Sequence, residues 1–484
     1  MQLSLLLNQI ADLSEGMDYD ITSITLDSRE VVAGTLFVAL KGVQQHGMTY
    51  AKVAEDQGAL AIIWEADDAV KIPKLTIPCF EINNLREQLG VVADRFYHAP
   101  SHSLKLIGIT GTDGKTSVSH FLAQSINSCA VIGTIGIGPL DNLRTATHTT
   151  PDVLNVHKNL AMLKEQSIET VAMEVSSHAL DQGRVASVGF DVAVLTNLSR
   201  DHLDYHGTVE AYAEAKEKLF YGSSLKTVVV NLDDSFGRKI ASKAESVIGY
   251  GIGEIKAYPQ DSLVAHNMRL STQGISADIS YKDQTGSIKA AVLGRFNLSN
   301  LLASLGAMLG LGWSLPDALN QLNKVTTVAG RMEKVSDSGV LAVVDYAHTP
   351  NALETVLKAL REHTQNKLIC VFGCGGDRDT GKRPLMAQVA EEYADVVIVT
   401  DDNPRTESPQ KIMQDVVAGF KQPELVVIEH DRATAISQAL LQAKTGDAVL
   451  IAGKGHENVQ ILATETVPFS DKEEANKVLQ ELAA

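Results

Sequence analysis

At 484 residues, 44% apolar and 21% charged, the chain has the composition of a soluble globular protein and is too long for one ordinary core, so about three domains are expected. Its 42 basic against 59 acidic residues leave a net charge of −17, which argues against a nucleic-acid partner. No apolar run is long enough to span a bilayer, the Leu3 to Leu7 stretch lacks the flanks of a secretory signal, and Cys79, Cys129, Cys370 and Cys374 form no CxxC pair. A cytoplasmic protein with no membrane insertion, disulfide framework or zinc site is therefore expected.

The chain reads as three α/β blocks. Residues 1–100 form a small mixed unit that ends at a Pro-containing break, Phe96-Tyr97-His98-Ala99-Pro100, after which a strand begins at Lys105. From 101 to 330, apolar strands such as Val171 to Val175, Val192 to Thr196 and Thr227 to Val230 alternate with helical stretches, which predicts a central parallel-sheet domain. From 331 to 484 the alternation returns, with strands at Leu341 to Asp345, Leu368 to Phe372, Val396 to Thr400, Leu425 to Ile428 and Ala448 to Ala452. A C-terminal Rossmann-like domain is expected there. Ligands of such sheets sit beyond the carboxyl ends of the strands, where the polar motifs of this chain fall.

Leu106 to Thr116 reads as a strand, a glycine-bearing turn and a helix start, the context of a phosphate loop made by Gly111, Thr112, Asp113, Gly114, Lys115, Thr116 and Ser117. Backbone N–H groups would cradle phosphate oxygens of ATP, Lys115 would reach the β and γ positions, and the Thr116 hydroxyl would meet Mg²⁺. The strict P-loop pattern has Gly where this chain has Ile109. Two further strand ends carry Met173-Glu174-Val175-Ser176-Ser177-His178 and Asn197 to His206. Mg²⁺ prefers oxygen, so Glu174 and Thr116 are natural ligands, whereas His202 is not what first principles would choose. Lys216, in the helical stretch Tyr212 to Leu219, reads by itself as a solvated helix charge.

The Gly-Thr-x-Gly-Lys-Thr loop resembles that of the Mur ligase and folylpolyglutamate synthase superfamily, in which Asn is usual at the place of Asp113. Gly294 to Asn300, Gly330-Arg331-Met332-Glu333 and Asp345 to Pro350 match the same family. Thr25-Leu26-Asp27-Ser28-Arg29 and Val38 to Gly47 resemble the uridine-binding first domain of its tripeptide synthetases, which the folate ligases lack. The resemblance implies that Asn297, Asn300, Arg331 and Asp345 serve ATP, and that Lys115, Glu174, His202, Lys216 and Arg331 are catalytic. It also implies that CO₂ carbamylates Lys216, which joins Thr116, Glu174 and His202 around the metal; this requires a neutral amine and hence a lowered pKa. By the same resemblance, Leu26, Ser28, Val43, Gln44 and Gln45 contact UDP, and His148, Thr149, Thr150, Ser176, Gln182 and Arg184 hold a muramoyl dipeptide.

In the third block, Gly375 to Asp379, Asp402-Asn403-Pro404-Arg405 and Gly453-Lys454-Gly455-His456-Glu457 follow expected strands. The Asp-Asn-Pro-Arg tetrapeptide resembles that of the diaminopimelate-adding members; lysine-adding relatives lack the Arg. A distal zwitterion needs an Arg for its carboxylate and an acceptor for its ammonium. Arg378 and Arg405 would supply the first and Glu457 the second, with Asp402, Asn403, Pro404 and Gly453 around them. The resemblance implies ATP-driven formation of an acyl phosphate on UDP-N-acetylmuramoyl-L-alanyl-D-glutamate, attack by the amine of meso-diaminopimelate, closure of the third domain against water, and a monomer. The alternatives are a lysine-adding relative, a P-loop regulatory ATPase and a silent UDP-sugar-binding protein, the last disfavoured by Lys115, Glu174, His202 and Lys216.

Overall fold

The computed structural model describes residues 1–13, 17–42, 45–336 and 339–483; Val43 and Gln44, expected at UDP, lie outside the described residues. The chain forms two compact units, Met1–Val230 with Asp234–Val247, and Asn231–Asp233 with Ile248–Ala484.

The first unit begins with a parallel sheet of β1 (Ser23–Thr25), β2 (Thr35–Ala39), β3 (Ala59–Glu65) and β4 (Cys79–Ile82), in that order. Successive side chains of a strand point to opposite faces, so Leu36, Val38, Ala61 and Ile63 share one core while Phe37, Ala39, Ile62 and Trp64 share another. The helix Leu85–Phe96 buries Leu85, Leu89, Val92 and Ala93 against the first of these cores, at the spacing of one helical face.

The same unit holds β5 (Lys105–Thr110), β6 (Cys129–Ile132), β7 (Ile137–Gly138), β8 (Thr170–Glu174), β9 (Val192–Leu195) and β10 (Thr227–Asn231), in the order β10-β9-β5-β8-β6-β7. All neighbours are parallel except β6 and β7. Buried on both faces, these strands carry continuous apolar runs such as Leu106-Ile107 and Val171-Ala172-Met173, each 0% exposed. Their ends fall within one residue of the sequence expectation.

In the second unit, β11 (Val247–Ile252, whose first residue closes the first unit) runs parallel to β12 (Leu263–Ser271). It is followed by β13 (Gly274–Tyr281) and β14 (Gln284–Ala290) in an antiparallel meander. The parallel alternation expected up to residue 330 therefore stops early. The connections Thr272-Gln273 and Lys282-Asp283 are too short for a crossover helix, and two-residue turns make hairpins.

The last sheet holds β15 (Glu333–Ser336), β16 (Leu341–Asp345), β17 (Leu368–Phe372), β18 (Val396–Val399), β19 (Val427–Ile428) and β20 (Ala448–Ala452), in the order β15-β16-β20-β17-β18-β19. Only β15 is antiparallel to its neighbour. β19 is shorter than the expected Leu425 to Ile428 because Pro423–Leu425 forms a 3₁₀ turn, which the fixed φ of Pro423 favours.

A buried ion pair joins the helices Arg432–Gln442 and Asp471–Ala483. Arg432 Nε and Nη2 meet the two Asp471 oxygens at 2.6 and 2.7 Å, both side chains are 0% exposed, and Nη2 also donates to the Ala452 carbonyl at 2.9 Å. Asp471→Ala would strand the guanidinium, a loss of about 3–5 kcal/mol for one partner of a buried pair. Urea unfolding of the variant should begin at clearly lower denaturant than in the parent, and an unchanged profile would refute the structural role of the pair.

Candidate active site

Four parallel strands deliver the phosphate-loop cluster from their carboxyl ends. After β5, Gly111 to Gly114 turn into the helix Lys115–Ser125, whose N-cap Gly114 has φ 84°, a conformation costly for any side chain but glycine's hydrogen. The end of β9 fixes the loop. The Thr196 hydroxyl donates to the Asp113 carbonyl at 2.6 Å, and Asn197 Oδ1 accepts from the Asp113 N–H at 3.0 Å. Asp113 is thus held by its backbone while its side chain is exposed. The N-terminal N–H groups of the following helix face the loop, an arrangement that favours anions.

Glu174, the last residue of β8, is 1% exposed and accepts from the Thr116 hydroxyl at 3.0 Å, the Thr134 N–H at 2.9 Å and the Thr134 hydroxyl at 3.1 Å. The end of β6 makes room for it, since a Cβ on Gly133 would come within 2.1 Å of Glu174 Oε1. Thr116 and Glu174 present touching, hard oxygen donors at the foot of the phosphate loop, and this donor set fits Mg²⁺. Among the described residues no group of three His, Cys, Asp or Glu is arranged to hold a metal ion.

Lys216 lies in the last turn of the helix Val209–Glu217, 1% exposed, and its Nζ donates to the Gly111 carbonyl at 2.8 Å. The solvated charge that the bare sequence suggested is thereby corrected. Burial, reinforced by the positive charge of Lys115, lowers the Lys216 pKa to about 6. Lys115 Nζ donates to the Gly111 and Thr112 carbonyls, both at 2.8 Å, so the two lysines share one loop oxygen. Tyr212, one turn before Lys216, lies with its ring 4.4 Å from Lys216 Nζ and its hydroxyl 3.2 Å from Thr112 Oγ1. The His202 ring stands 6.0 Å from that of Tyr212 and 4.9 Å from that of His178, half exposed, with Nε2 3.6 Å from Asp201 Oδ2. Burial, then the neighbouring His202 and His206, keep His178 below the usual histidine pKa.

The same unit contains a cavity of 180 Å³ whose lining includes Leu26, Arg86, His148, Asp152, Gln182 and Arg184. Arg184 Nη1 donates to the Thr150 carbonyl at 2.9 Å, and its Nε and Nη2 grip Gln182 Oε1 at 3.0 and 2.7 Å. The Thr150 hydroxyl donates to the Glu174 carbonyl at 2.8 Å and accepts from the Ser176 N–H at 3.1 Å, while Thr149 Oγ1 is 3.1 Å from Thr134 Oγ1. Hydrogen bonds therefore link the wall of the cavity to the foot of the phosphate loop. Ser28 is buried in a 3₁₀ turn capped by Asp27, and Gln45 bonds the Tyr50 hydroxyl; neither lines the cavity. Sequence reading missed Arg86, whose guanidinium bonds the Lys41 carbonyl at 2.8 Å, and Thr134; each lies outside any motif.

In the second unit, Asp345 ends β16, buried, with its two oxygens accepting from the Met332 and Ala347 N–H groups at 2.7 Å. Burial raises its pKa against those bonds and Arg331. The Arg331 guanidinium stacks 5.0 Å from the Tyr346 ring centroid, and its buried Nε makes no hydrogen bond. Asn297 and Asn300 are buried on the helix Arg295–Gly310 and bond each other at 2.9 Å. After β18, β20 and β17, Asp402 to Arg405, Gly453 to Glu457 and Gly375 to Arg378 meet. Arg405 has φ 51°, and its Nη1 donates to the Gly376 and Asn403 carbonyls at 3.0 and 3.3 Å. Arg378 is exposed and bonds the Asp377 carbonyl at 3.2 Å. Asn403 Nδ2 donates to Glu457 Oε2 at 2.9 Å.

Comparison with known proteins gives a consistent result. The Mur ligase family catalytic domain matches residues 20–97, the Mur ligase middle domain 109–308, and the Mur ligase glutamate ligase domain 330–455. Two relatives, from Ectopseudomonas mendocina and Pseudomonas aeruginosa, are each 48% identical over 480 residues, 98% of either chain. Both are named UDP-N-acetylmuramoyl-L-alanyl-D-glutamate--2,6-diaminopimelate ligase. A solved structure of a ligase of that name, 36% identical, matches 100% of this chain and 99% of its own with a TM-score of 0.76.

The buried amine has a consequence for stability. With a pKa of about 6 in the fold and 10.5 as an ordinary lysine, Lys216 binds one proton fewer in the folded than in the unfolded chain between those values. Its contribution to stability therefore rises as pH climbs from about 6 towards 10.5. In CO₂-free buffer, Lys216→Met should gain stability over the parent near pH 6 and lose that advantage step by step towards pH 10. Parallel pH profiles for the two proteins would contradict the burial of the amine.

Proposed function

The chain belongs to the Mur ligase family, and on that premise we propose that it joins meso-diaminopimelate to UDP-N-acetylmuramoyl-L-alanyl-D-glutamate at the expense of ATP. The observation that carries this reading is full-length similarity to ligases of that specificity, 48% identical over 98% of both chains. The local chemistry agrees with it. Arg405 is a cation suited to a distal carboxylate, and Glu457 is an acceptor suited to the neighbouring ammonium. No helix among the described residues is long and apolar enough to cross a membrane.

In the first step, an oxygen of the D-glutamate side chain bonds to the γ-phosphorus of ATP as the bond to ADP breaks, giving an acyl phosphate. In the second, the amine of diaminopimelate attacks the acyl carbon, phosphate leaves and the nitrogen gives up a proton. Two anions must approach each other first, so cations decide the barrier. Lys115, which now bonds two loop carbonyls, would exchange them for phosphate oxygens. Asp345, Asn297 and Asn300 serve the nucleotide in this reading. The cavity beside Gln182 and Arg184 would take the muramoyl dipeptide, with Arg86 and His148 at its wall.

Thr116 and Glu174, with His202 and Lys216 as its carbamate, would hold Mg²⁺, which when bound offsets charge on the phosphate oxygens. For the carbamate, the neutral Lys216 nitrogen bonds the carbon of CO₂ and releases a proton. What supports this is the lowered pKa of Lys216, together with Lys115, whose positive charge both disfavours the ammonium and would stabilise the carbamate anion.

Phosphate release, measured with saturating ATP and UDP-dipeptide and with diaminopimelate or lysine in turn, tests the reading. Wild type should strongly prefer diaminopimelate. Arg405→Ala should lose roughly 30- to 1,000-fold in diaminopimelate efficiency, the equivalent of about 2 to 4 kcal/mol for a charge-assisted, partly desolvated contact, and much less with lysine. Equal use of lysine by wild type, or ATP turnover that needs neither co-substrate, would overturn the proposal.

A further inference from the structure

Behind the residues assigned to the amino acid lies a cation that no role has yet absorbed. Lys454 is 0% exposed, and its Nζ donates to Asn403 Oδ1 at 2.9 Å and to Glu457 Oε2 at 3.2 Å, with Asp402 Oδ1 at 3.6 Å. Asn403 closes the triangle by donating to the same Glu457 oxygen, and the Ile461 N–H donates to Asn403 Oδ1 at 3.0 Å. Glu457 Oε2 thus takes two bonds from inside, while its side chain remains 31% exposed. Asp402 is buried, and its Oδ1 has no hydrogen-bond partner among the described residues.

We propose that Lys454 is a positioning residue for the amino-acid substrate: its ammonium holds Asn403 and the inner oxygen of Glu457, so that the outer oxygen meets the distal ammonium of the incoming diamino acid. The inference rests on the ligase reading above and deepens it at the same site.

Charge and geometry both support the assignment. Asp402 and Glu457 bring two carboxylates to one place and Lys454 one cation, which leaves a single negative charge to be matched by a single substrate ammonium. Without Lys454 the two carboxylates would repel, and Glu457 would lose one of the two bonds that set its rotamer. A buried ammonium is costly unless paired and hydrogen-bonded, and here every bond it makes goes to a residue of the amino-acid cluster. A neutral amide could imitate the hydrogen bonds but not the charge. Arg432, the other buried cation nearby, is already committed to Asp471 in a bidentate pair.

The test is steady-state kinetics on the full chain, varying diaminopimelate, ATP and UDP-dipeptide separately. Lys454→Gln should raise KM for diaminopimelate roughly 10- to 100-fold, as expected when a charged, buried hydrogen-bond partner is lost, while KM for ATP and UDP-dipeptide stays within about 3-fold. Lys454→Arg, which keeps the charge, should recover most of the lost affinity. A wild-type KM in Lys454→Gln, an equal rise in all three KM values, or an Arg variant no better than Gln would overturn the proposal. If Lys454→Gln does not fold, Lys454→Gln/Asp402→Asn leaves fewer buried charges unpaired, and should show the same selective rise relative to Asp402→Asn alone; no rise would overturn it. Wild-type preference for diaminopimelate over lysine separates the levels. If that preference is present and the Lys454 effect absent, only the positioning role fails; if the preference is absent, the ligase reading fails and takes this inference with it.

Discussion

A single carbonyl oxygen, that of Gly111, accepts hydrogen bonds from two lysines at 2.8 Å each, and only one of them is placed to stay charged. Lys115 begins a helix at the mouth of the loop, half-buried, whereas Lys216 is taken almost wholly out of water. Burial and repulsion therefore act together on Lys216, and a group that would be a cation on any exposed helix becomes a neutral amine near pH 7. The surrounding packing maintains this state. Tyr212 covers Lys216 with its ring, and Glu217, one residue on, is paired with Lys239 and Lys243.

Parallel topology brings these groups together. With β5 between β8 and β9, the phosphate loop, Glu174 and the Thr196-Asn197 pair emerge side by side at one sheet edge, and β6 adds Gly133 and Thr134. The second unit uses the same device. There β16, β20, β17 and β18 end at Asp345, Ala452, Phe372 and Val399, and the turns beyond them carry the cations and carboxylates proposed for the amino-acid substrate. Both clusters also keep a lysine in the interior, but with opposite company. Lys216 has a cation for a neighbour and the Gly111 carbonyl and Tyr212 ring against it, while Lys454 lies between carboxylates.

What the sequence could reveal followed from how local each signal was. The strand, turn and helix of the phosphate loop are contiguous, so Gly111 to Thr116 could be read directly, and Glu174 could be placed because a buried parallel strand is a continuous apolar run that ends in a polar residue. Lys216 could not be placed that way. Tyr212, Ala213, Ala215, Lys216 and Glu217 are all buried while Glu210 and Glu214 are exposed, so a charged residue lies on the covered side of the helix where its type alone predicts solvent, and only resemblance to a family singled the lysine out. Thr134, Arg86 and Lys454 act through partners 40, 45 and 51 residues away, respectively, a distance that no short motif spans. The hairpins between Leu263 and Ala290 were legible in principle, since β12 alternates half-buried and exposed residues from His266 onward, but the parallel pattern before and after them dominated the reading.

The account depends on Lys216 being a neutral amine that takes up CO₂ beside Lys115. Carbon NMR of the protein equilibrated with isotope-labelled bicarbonate, compared between wild type and Lys216→Met, measures this directly. A carbamate resonance present in wild type, weakened below pH 6 and missing from the variant, is the expected result. A wild-type spectrum with no carbamate signal between pH 7 and 9, or an identical signal in the variant, would contradict it.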